Sequence, residues 1–274
     1  MSIEIDISPF ERETFSDLPL ENIDLIISQI PIKDKKLFTV ANTGIQNINF
    51  LNKDPIKIDS VDNDEYQIIL NYLILSGIDN LEYIDFYKLF VGSPELKRDN
   101  SYIPFFDIKK FMLMIDIPLE YRDKAEKIMK EKYRLGNVKE LTEDERKKNY
   151  NWLRDFSKLK RYVRGGRINL YQGDILEFID EDIYDLIFLT NIRDVVSNHN
   201  KEYFKKYNHL LLNGCLENTQ KKAYIYLTEY KDNLSEEDSL SNQNNEWRNG
   251  FDLVDKKKEK NRFEITHYLL KRKF

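Results

Sequence analysis

Glycine and carboxylate residues follow three segments of the 274-residue sequence that are typical of buried β-strands. Gly44 lies in the turn after the apolar segment 36–41, and Asp62 closes the segment 56–61 eighteen residues later. Asp174 follows a third segment at 167–171. Ligand-binding residues of an open parallel sheet gather at the carboxyl ends of its strands, so we expect these three residues to lie close together.

The types of these three residues suit a bound nucleoside. A glycine lets the backbone turn sharply and approach a ligand closely. The Asp62 carboxylate can accept hydrogen bonds from both hydroxyl groups of a ribose. Asp174 is placed to accept the exocyclic amine of an adenine base. The order and the strand-end placement of the three residues together predict a nucleoside-binding site.

Each of these residues also has a purely structural interpretation. Gly44 fits a plain turn, Asp62 fits a neighbour of the next helix cap, and Asp174 fits the N-cap of the helix that follows it. Asp64 and Gln67 have the spacing of a capping box, which predicts a helix start at that point. The sequence alone leaves these alternatives open.

Strand-like and helix-like segments alternate along most of the chain. The predicted strands are 36–41, 56–61, 167–171, 184–190 and 223–229, and a hairpin is predicted at 251–274. The predicted helices are 47–51, a helix from Asp64 that Gly77 ends, a short one from Asp174, and 201–212, which Asn213-Gly214 ends. This order predicts an α/β protein with the Rossmann-like class I fold of S-adenosylmethionine (SAM)-dependent methyltransferases: a mostly parallel sheet with a C-terminal antiparallel hairpin.

Two segments interrupt the alternation. Residues 93–165 are long, charged and helix-like, and they predict a helical insertion that could act as a lid. Residues 231–250 are polar and poor in aliphatic side chains, which is typical of a mobile loop. We therefore expect one SAM-binding domain over residues 1–274 that carries this insertion and this loop.

Composition excludes several classes of protein. No apolar run approaches the roughly 20 residues of a membrane span, and the acidic start of the chain is unlike a secretory signal, so we expect a cytoplasmic protein. The single cysteine and three scattered histidines give no disulfide and no metal-ligand spacing. The net charge of −5 argues against a general nucleic-acid coat. The basic segment 146–167 fits either a solvated helix face or the contact for an anionic partner.

Two blocks of the sequence resemble the SAM:diacylglycerol 3-amino-3-carboxypropyltransferase family, which starts betaine-lipid synthesis. That family has a turn with a single glycine followed by an amide, then a spaced aspartate, polar residue and glutamine, and later a GD and an SNI-D motif. The matching positions here are Thr43, Gly44, Gln46, Asp62, Asp64, Gln67, Asp174, Thr190, Asn191, Ile192 and Asp194. The family also carries a lysine in the helix after its glutamine, where this chain has Ile74, and an arginine on a later strand that has no counterpart here.

The resemblance implies a site for SAM as co-substrate, with no metal. It implies that Thr43 and Gln46 lie near the SAM carboxylate, that Asn191 lies against the SAM amino acid, and that Thr190 belongs to the same site. Asp194, just past the fourth strand, is then the candidate catalytic residue that faces acceptor or donor. The acceptor would be an unidentified small or lipid-like molecule.

Three functions remain open from the sequence. The resemblance favours transfer of the 3-amino-3-carboxypropyl group of SAM with release of methylthioadenosine. The fold alone equally accommodates a SAM-dependent methyltransferase that acts on a small molecule or a lipid. The missing lysine and arginine leave a non-catalytic SAM-binding or interaction protein as the third interpretation.

Overall fold

The computed structural model describes residues 30–42, 44–86, 90, 108–135, 155–190, 201–230, 239–240, 242, 245–260 and 264–273. The chain divides into two compact units. The described residues from 72 to 156 belong to a helical unit, and those of 30–71 and 157–273 belong to a unit that contains the sheet.

Seven strands of the described residues form one sheet in the order β3-β2-β1-β4-β5-β7-β6. The strands are β1 (Lys36–Val40), β2 (Lys57–Asp62), β3 (Ile168–Gln172), β4 (Tyr184–Leu189), β5 (Thr219–Tyr230), β6 (Phe251–Lys260) and β7 (Glu264–Arg272). Strands β3, β2, β1, β4 and β5 pair in parallel, whereas β7 pairs antiparallel with both β5 and β6. This mostly parallel sheet with a C-terminal hairpin confirms the predicted class I methyltransferase fold.

In the sequence, helices lie between consecutive strands from β1 to β6. They are α1 (Ile45–Leu51), α2 (Glu65–Asn80), α3 (Tyr83–Phe86), α4 (Ile108–Met114), α5 (Arg122–Leu135), α6 (Phe156–Arg164), α7 (Ile175–Phe178), α8 (Lys201–Glu217) and α9 (Trp247–Gly250), with short 3-10 turns at Leu119–Tyr121 and Ile179–Glu181. The order of the sheet reverses between β1 and β4, which is the switch point where ligands of such folds bind.

The expected helix stops at Gly77 and Gly214 are wrong. Helix α2 continues to Asn80, and α8 continues to Glu217. Both glycines instead serve close packing, because a Cβ at Gly77 would lie 2.5 Å from the Phe90 ring and one at Gly214 would lie 2.8 Å from the Ile179 side chain. A glycine within a helix can therefore mark the approach of a neighbouring side chain rather than the end of the helix.

Aromatic contacts and a hydrogen bond between segments hold the described part of the helical unit together. The Phe86 ring stacks on Phe90 with a centroid distance of 4.7 Å, and Phe90 contacts Phe111 of α4 edge-on. Ser76 of α2 donates a hydrogen bond to the carbonyl oxygen of Asp116 at 3.0 Å. Helices α4, α5 and α6 lie within the predicted insertion 93–165, and a lid function for that insertion stays a prediction.

The predicted mobile loop 231–250 contains residues of the hydrophobic core. Leu240 and Trp247 are buried in the cluster that also holds Leu211 of α8 and Phe251 of β6. The indole Nε1 of Trp247 donates to Asn208 Oδ1 at 3.0 Å. Trp247 is thus a packing residue; residues 231–238 lie outside the described part of the chain.

Candidate functional site

The turn after β1 has the backbone that its sequence predicts. Gly44 adopts the left-handed φ of 81° directly before α1, and Asn42 is also left-handed at 47°. Such φ values favour glycine, which has no Cβ to clash with the backbone. Asparagine tolerates them better than most other residues do. Thr43, the remaining predicted residue of this turn, lies outside the described residues.

The Asp62 carboxylate ties together two loops at the carboxyl edge of the sheet. Its Oδ2 accepts the backbone N–H of Asn42 in the turn after β1, and its Oδ1 accepts that of Asp64 in the loop after β2, both at 3.0 Å. The main-chain oxygen of Asp62 accepts the N–H of Gly173 in the loop after β3, also at 3.0 Å. Three strand-end loops therefore converge on one residue, as the sequence predicts.

Burial raises the pKa of Asp62 to about 7, although the backbone donors of Asp64 and Asn42 favour its charged form. The nearby Asp64 carboxylate adds to the rise of the pKa by repulsion. Asp62 accordingly changes its charge close to neutral pH. A ligand that donates hydrogen bonds to its carboxylate would favour the ionised form.

In the predicted capping box of Asp64 and Gln67, only Asp64 forms a capping hydrogen bond. Asp64 caps α2, because its Oδ1 accepts the N–H of Tyr66 at 2.9 Å. The N–H of Asp64 bonds to Asp62 and not to the Gln67 side chain. The hydrogen bond from Asp64 N–H to Gln67 that a capping box requires is therefore a wrong prediction. Gln67 Oε1 is instead buried and finds no hydrogen-bond partner among the described residues.

Asp174 lies at the N-terminus of α7, next to the residue that bonds to Asp62. Its Oδ1 accepts the N–H of Leu176 at 3.0 Å and the hydroxyl of Tyr207 at 2.8 Å. The N-cap interpretation of Asp174 is therefore correct, and it leaves the second carboxylate oxygen for a further donor. Gly173 has a φ of 154°, and a Cβ there would lie 2.6 Å from the Phe178 ring.

Two more predicted residues carry buried oxygen atoms that no described residue satisfies. Gln46 of α1 is fully buried; its Nε2 donates to Thr39 Oγ1, and its Oε1 has no partner. Thr190 follows β4 directly, is 2% exposed, and its Oγ1 is likewise without a partner in the described part of the chain. Buried polar atoms are normally hydrogen-bonded, so unsatisfied ones point to an absent ligand or water.

A buried amide network supports the turn, and the sequence analysis missed it. Asn71 of α2 donates to the carbonyl oxygens of Asn42 at 2.9 Å and of Ala41 at 3.3 Å. Its Oδ1 accepts Asn47 of α1, which also contacts the hydroxyl of Ser60 on β2 at 2.9 Å. The only sequence signal was the presence of asparagines at apolar-patterned positions of two helices.

Asn191, Ile192 and Asp194 lie in residues 191–200, outside the described part of the chain, so their roles stay predictions. Within the described residues, no group of three histidine, cysteine, aspartate or glutamate side chains could hold a metal ion. No described helix is both long enough and apolar enough to cross a membrane. Cys215 is buried, and burial raises the pKa of its thiol.

Comparisons with known proteins give structural likenesses only. The N-methyltransferase NodS from Bradyrhizobium japonicum, solved with S-adenosyl-L-homocysteine, matches with 7% identity and a TM-score of 0.47, over 92% of this chain and 83% of NodS. The rRNA methyltransferase AviRa from Streptomyces viridochromogenes matches with 10% identity and a TM-score of 0.43, over 90% of this chain and 81% of AviRa. No protein-family model and no curated protein matches the chain. The fold assignment therefore depends on the strand order itself.

Proposed function

We propose that the protein is a SAM-dependent transferase. The observation that carries this proposal is the position of Asp62, whose carboxylate is held at the end of β2 between the turn after β1 and the loop after β2. In sheets of this order, a carboxylate at that place accepts the ribose hydroxyls of a bound nucleotide. Asp174 lies at the next strand end, and we assign it to the adenine amine.

The residues present fit such a co-substrate. Gln46, Gln67 and Thr190 each bury an oxygen that lacks a partner among the described residues, and SAM carries amine, hydroxyl and amino-acid groups that can donate to them. Asp62 would hold the ribose and Asp174 the adenine. SAM supplies an electrophilic sulfonium, and the protein contributes mainly binding and alignment.

Methyl transfer is the reaction that we favour. It is the reaction after which this fold is named, and Ile74 replaces the lysine expected of the aminocarboxypropyltransferase family. Aminocarboxypropyl transfer stays the second candidate because Gln46, Asp62 and Gln67 match the resemblance. The Oε1 atoms of Gln46 and Gln67 are buried without a partner among the described residues, and the Asp62 carboxylate is buried. In either reaction, Asp194 is the proposed base that removes a proton from the acceptor.

Calorimetry with S-adenosylhomocysteine (SAH) tests the proposed cofactor site. Asp62→Asn is expected to weaken SAH binding at least about tenfold, because it removes a charge-assisted hydrogen bond worth about 1.5–3 kcal/mol. Asparagine is preferable to alanine because it keeps one of the two oxygens that accept backbone N–H groups, whereas alanine would leave both N–H groups unpaired.

Asp185→Asn is the matched control for this experiment. Asp185 is also half-buried and also accepts a backbone N–H, that of Lys36 at 3.0 Å, but it lies at the opposite, amino edge of the sheet. SAH affinity should be unchanged in this variant. Equal affinities in wild type and Asp62→Asn would contradict the assignment of the site.

The by-product identifies the transferred group. Protein and SAM are mixed with a small-molecule extract, and the nucleoside product is analysed by mass spectrometry. SAH indicates methyl transfer, and methylthioadenosine indicates aminocarboxypropyl transfer. SAH binding without either product would favour the non-catalytic interpretation.

An anionic partner at the basic segment 146–167 belongs to the same proposal. Residues 146–154 lie outside the described residues. Lys158 pairs with Asp54 at 2.9 Å, and Arg167 donates to the Pro55 carbonyl oxygen at 2.7 Å, so these two cations are used within the protein. Arg161 and Arg164 are exposed, and reversing both charges tests for binding to anionic vesicles or to RNA.

A further inference from the structure

Tyr207 is a buried tyrosine that the proposed function does not use. It lies on α8 within the hydrophobic core, and its hydroxyl donates to Asp174 Oδ1 at 2.8 Å. Asp174 and Tyr207 come from different elements, the loop after β3 and the helix after β4. This hydrogen bond therefore fixes the loop that carries the proposed adenine-binding carboxylate.

Both donors to Asp174 reach the same oxygen atom. The Leu176 N–H and the Tyr207 hydroxyl bond to Oδ1, and no described residue donates to Oδ2. Two donors on one oxygen restrict rotation of the carboxylate about its own axis. The second oxygen is then presented in one direction instead of exchanging with the first.

The backbone beside Asp174 is equally constrained. Gly173 bonds to Asp62 at 3.0 Å, and a Cβ at Gly173 would collide with the Phe178 ring. Phe178 stacks on Tyr171 with a centroid distance of 5.0 Å. With its backbone held in this way, the remaining freedom of Asp174 is in its side chain, which Tyr207 restrains.

We infer that Tyr207 is a positioning residue for base recognition, which orients Asp174 so that Oδ2 selects a purine carrying a 6-amino group. This inference rests on the proposed SAM site. Without Tyr207, Asp174 would still cap α7, but its carboxylate could turn away from the base. The consequence is a loss of selectivity between purines rather than a general loss of nucleoside binding.

Burial and the charge of Asp174 raise the pKa of Tyr207 above its ordinary value. The hydroxyl therefore stays protonated and donates throughout the pH range in which the protein is studied. Tyr203, one turn earlier, also has a raised pKa because of burial and then of Asp174, so the two tyrosine hydroxyls facing this carboxylate are both neutral.

The test measures a ratio of two affinities. Calorimetry gives the dissociation constants of SAH and of its analogue whose purine lacks the 6-amino group. A charge-assisted hydrogen bond predicts that wild type prefers SAH by about tenfold or more. In Tyr207→Phe the preference should fall to less than about threefold, with little change in affinity for the analogue, because the analogue never used Oδ2.

Tyr184→Phe is the matched control. Tyr184 is a buried tyrosine of the same unit that donates to another carboxylate, Asp59 Oδ2, at 3.1 Å. Its removal should lower stability and leave the preference for SAH at the wild-type value. A ratio is measured on the folded fraction, so moderate destabilisation of either variant does not change it.

The outcomes separate this inference from the proposed function. A wild-type preference that persists in Tyr207→Phe overturns the positioning role while leaving the SAM site intact. A wild type that binds neither compound overturns the proposed function itself.

Discussion

At the scale of single residues, Asp62, the residue proposed to bind the ribose, also changes its charge near neutral pH. Its pKa of about 7 reflects burial that outweighs the two backbone donors. Ribose hydroxyls donate to the ionised carboxylate, whereas a protonated carboxyl offers them one acceptor fewer. Binding of the nucleoside should therefore release a proton near neutral pH.

SAH affinity of the wild type should fall as the pH falls below about 7, by about tenfold per pH unit when a single proton competes. Asp62→Asn should bind weakly with an affinity that does not vary over this range. Calorimetry in buffers of different ionisation enthalpy counts the protons released at each pH. A flat wild-type profile between about pH 5.5 and 8 would contradict this role of Asp62.

The same pKa has a consequence for the free protein. The folded-state pKa of Asp62 is raised from its ordinary value of 3.8 to about 7. Its contribution to stability is therefore fully present below about pH 4 and is lost as the pH rises through about 7. The sequence predicted a carboxylate at this strand end, but its pKa depends on burial by segments that lie far away in the chain.

At the scale of elements, the turn after β1 depends on an amide network that joins α1, α2 and β2. Asn71 donates to the carbonyl oxygens of Ala41 and Asn42, and Asn42 in turn donates its N–H to Asp62. The network therefore couples the second helix to the geometry of the proposed ribose site. Strand ends were predictable from apolar runs, but a contact across 29 residues between Asn71 and Asn42 leaves no mark in a single sequence.

Asn71→Leu should destabilise the protein by about 1–3 kcal/mol, because it leaves buried polar groups without partners, and it should also weaken SAH binding. Asn80→Leu is the control on the same helix, since among the described residues Asn80 donates only to the Ser76 carbonyl oxygen at 3.0 Å, within α2 itself. Urea unfolding and calorimetry give the two quantities for both variants. If both substitutions reduced SAH affinity equally, the network would have no specific role in the site.

Helix ends were the least predictable feature of the elements. Gly77 and Gly214 look like stop signals, yet each lies inside a helix where a neighbouring side chain approaches closely. Asp64 and Asp174, by contrast, cap their helices as predicted, because capping depends on residues only two positions apart. Local signals were therefore readable from the sequence, and those that depend on a packing partner were not.

At the scale of the whole molecule, the C-terminal hairpin is joined to the parallel sheet by residues that the sequence presents as a polar loop. Trp247 is fully buried there, with Leu240 and Phe251 in one cluster, and it bonds to Asn208 of α8. The sequence did not predict this packing role, because the composition of the segment is dominated by its polar residues. A single tryptophan hardly changes that composition.

Trp247→Ala should reduce the free energy of unfolding by about 3–5 kcal/mol, because it opens a cavity between α8 and β6. It also leaves Asn208 Oδ1 without the indole donor that it accepts at 3.0 Å. Val254→Ala on β6 is the control: Val254 is 50% exposed, and the expected change is below about 1 kcal/mol. Equal unfolding midpoints in urea for the two variants would mean that the hairpin is anchored by its strand pairing with β5 alone.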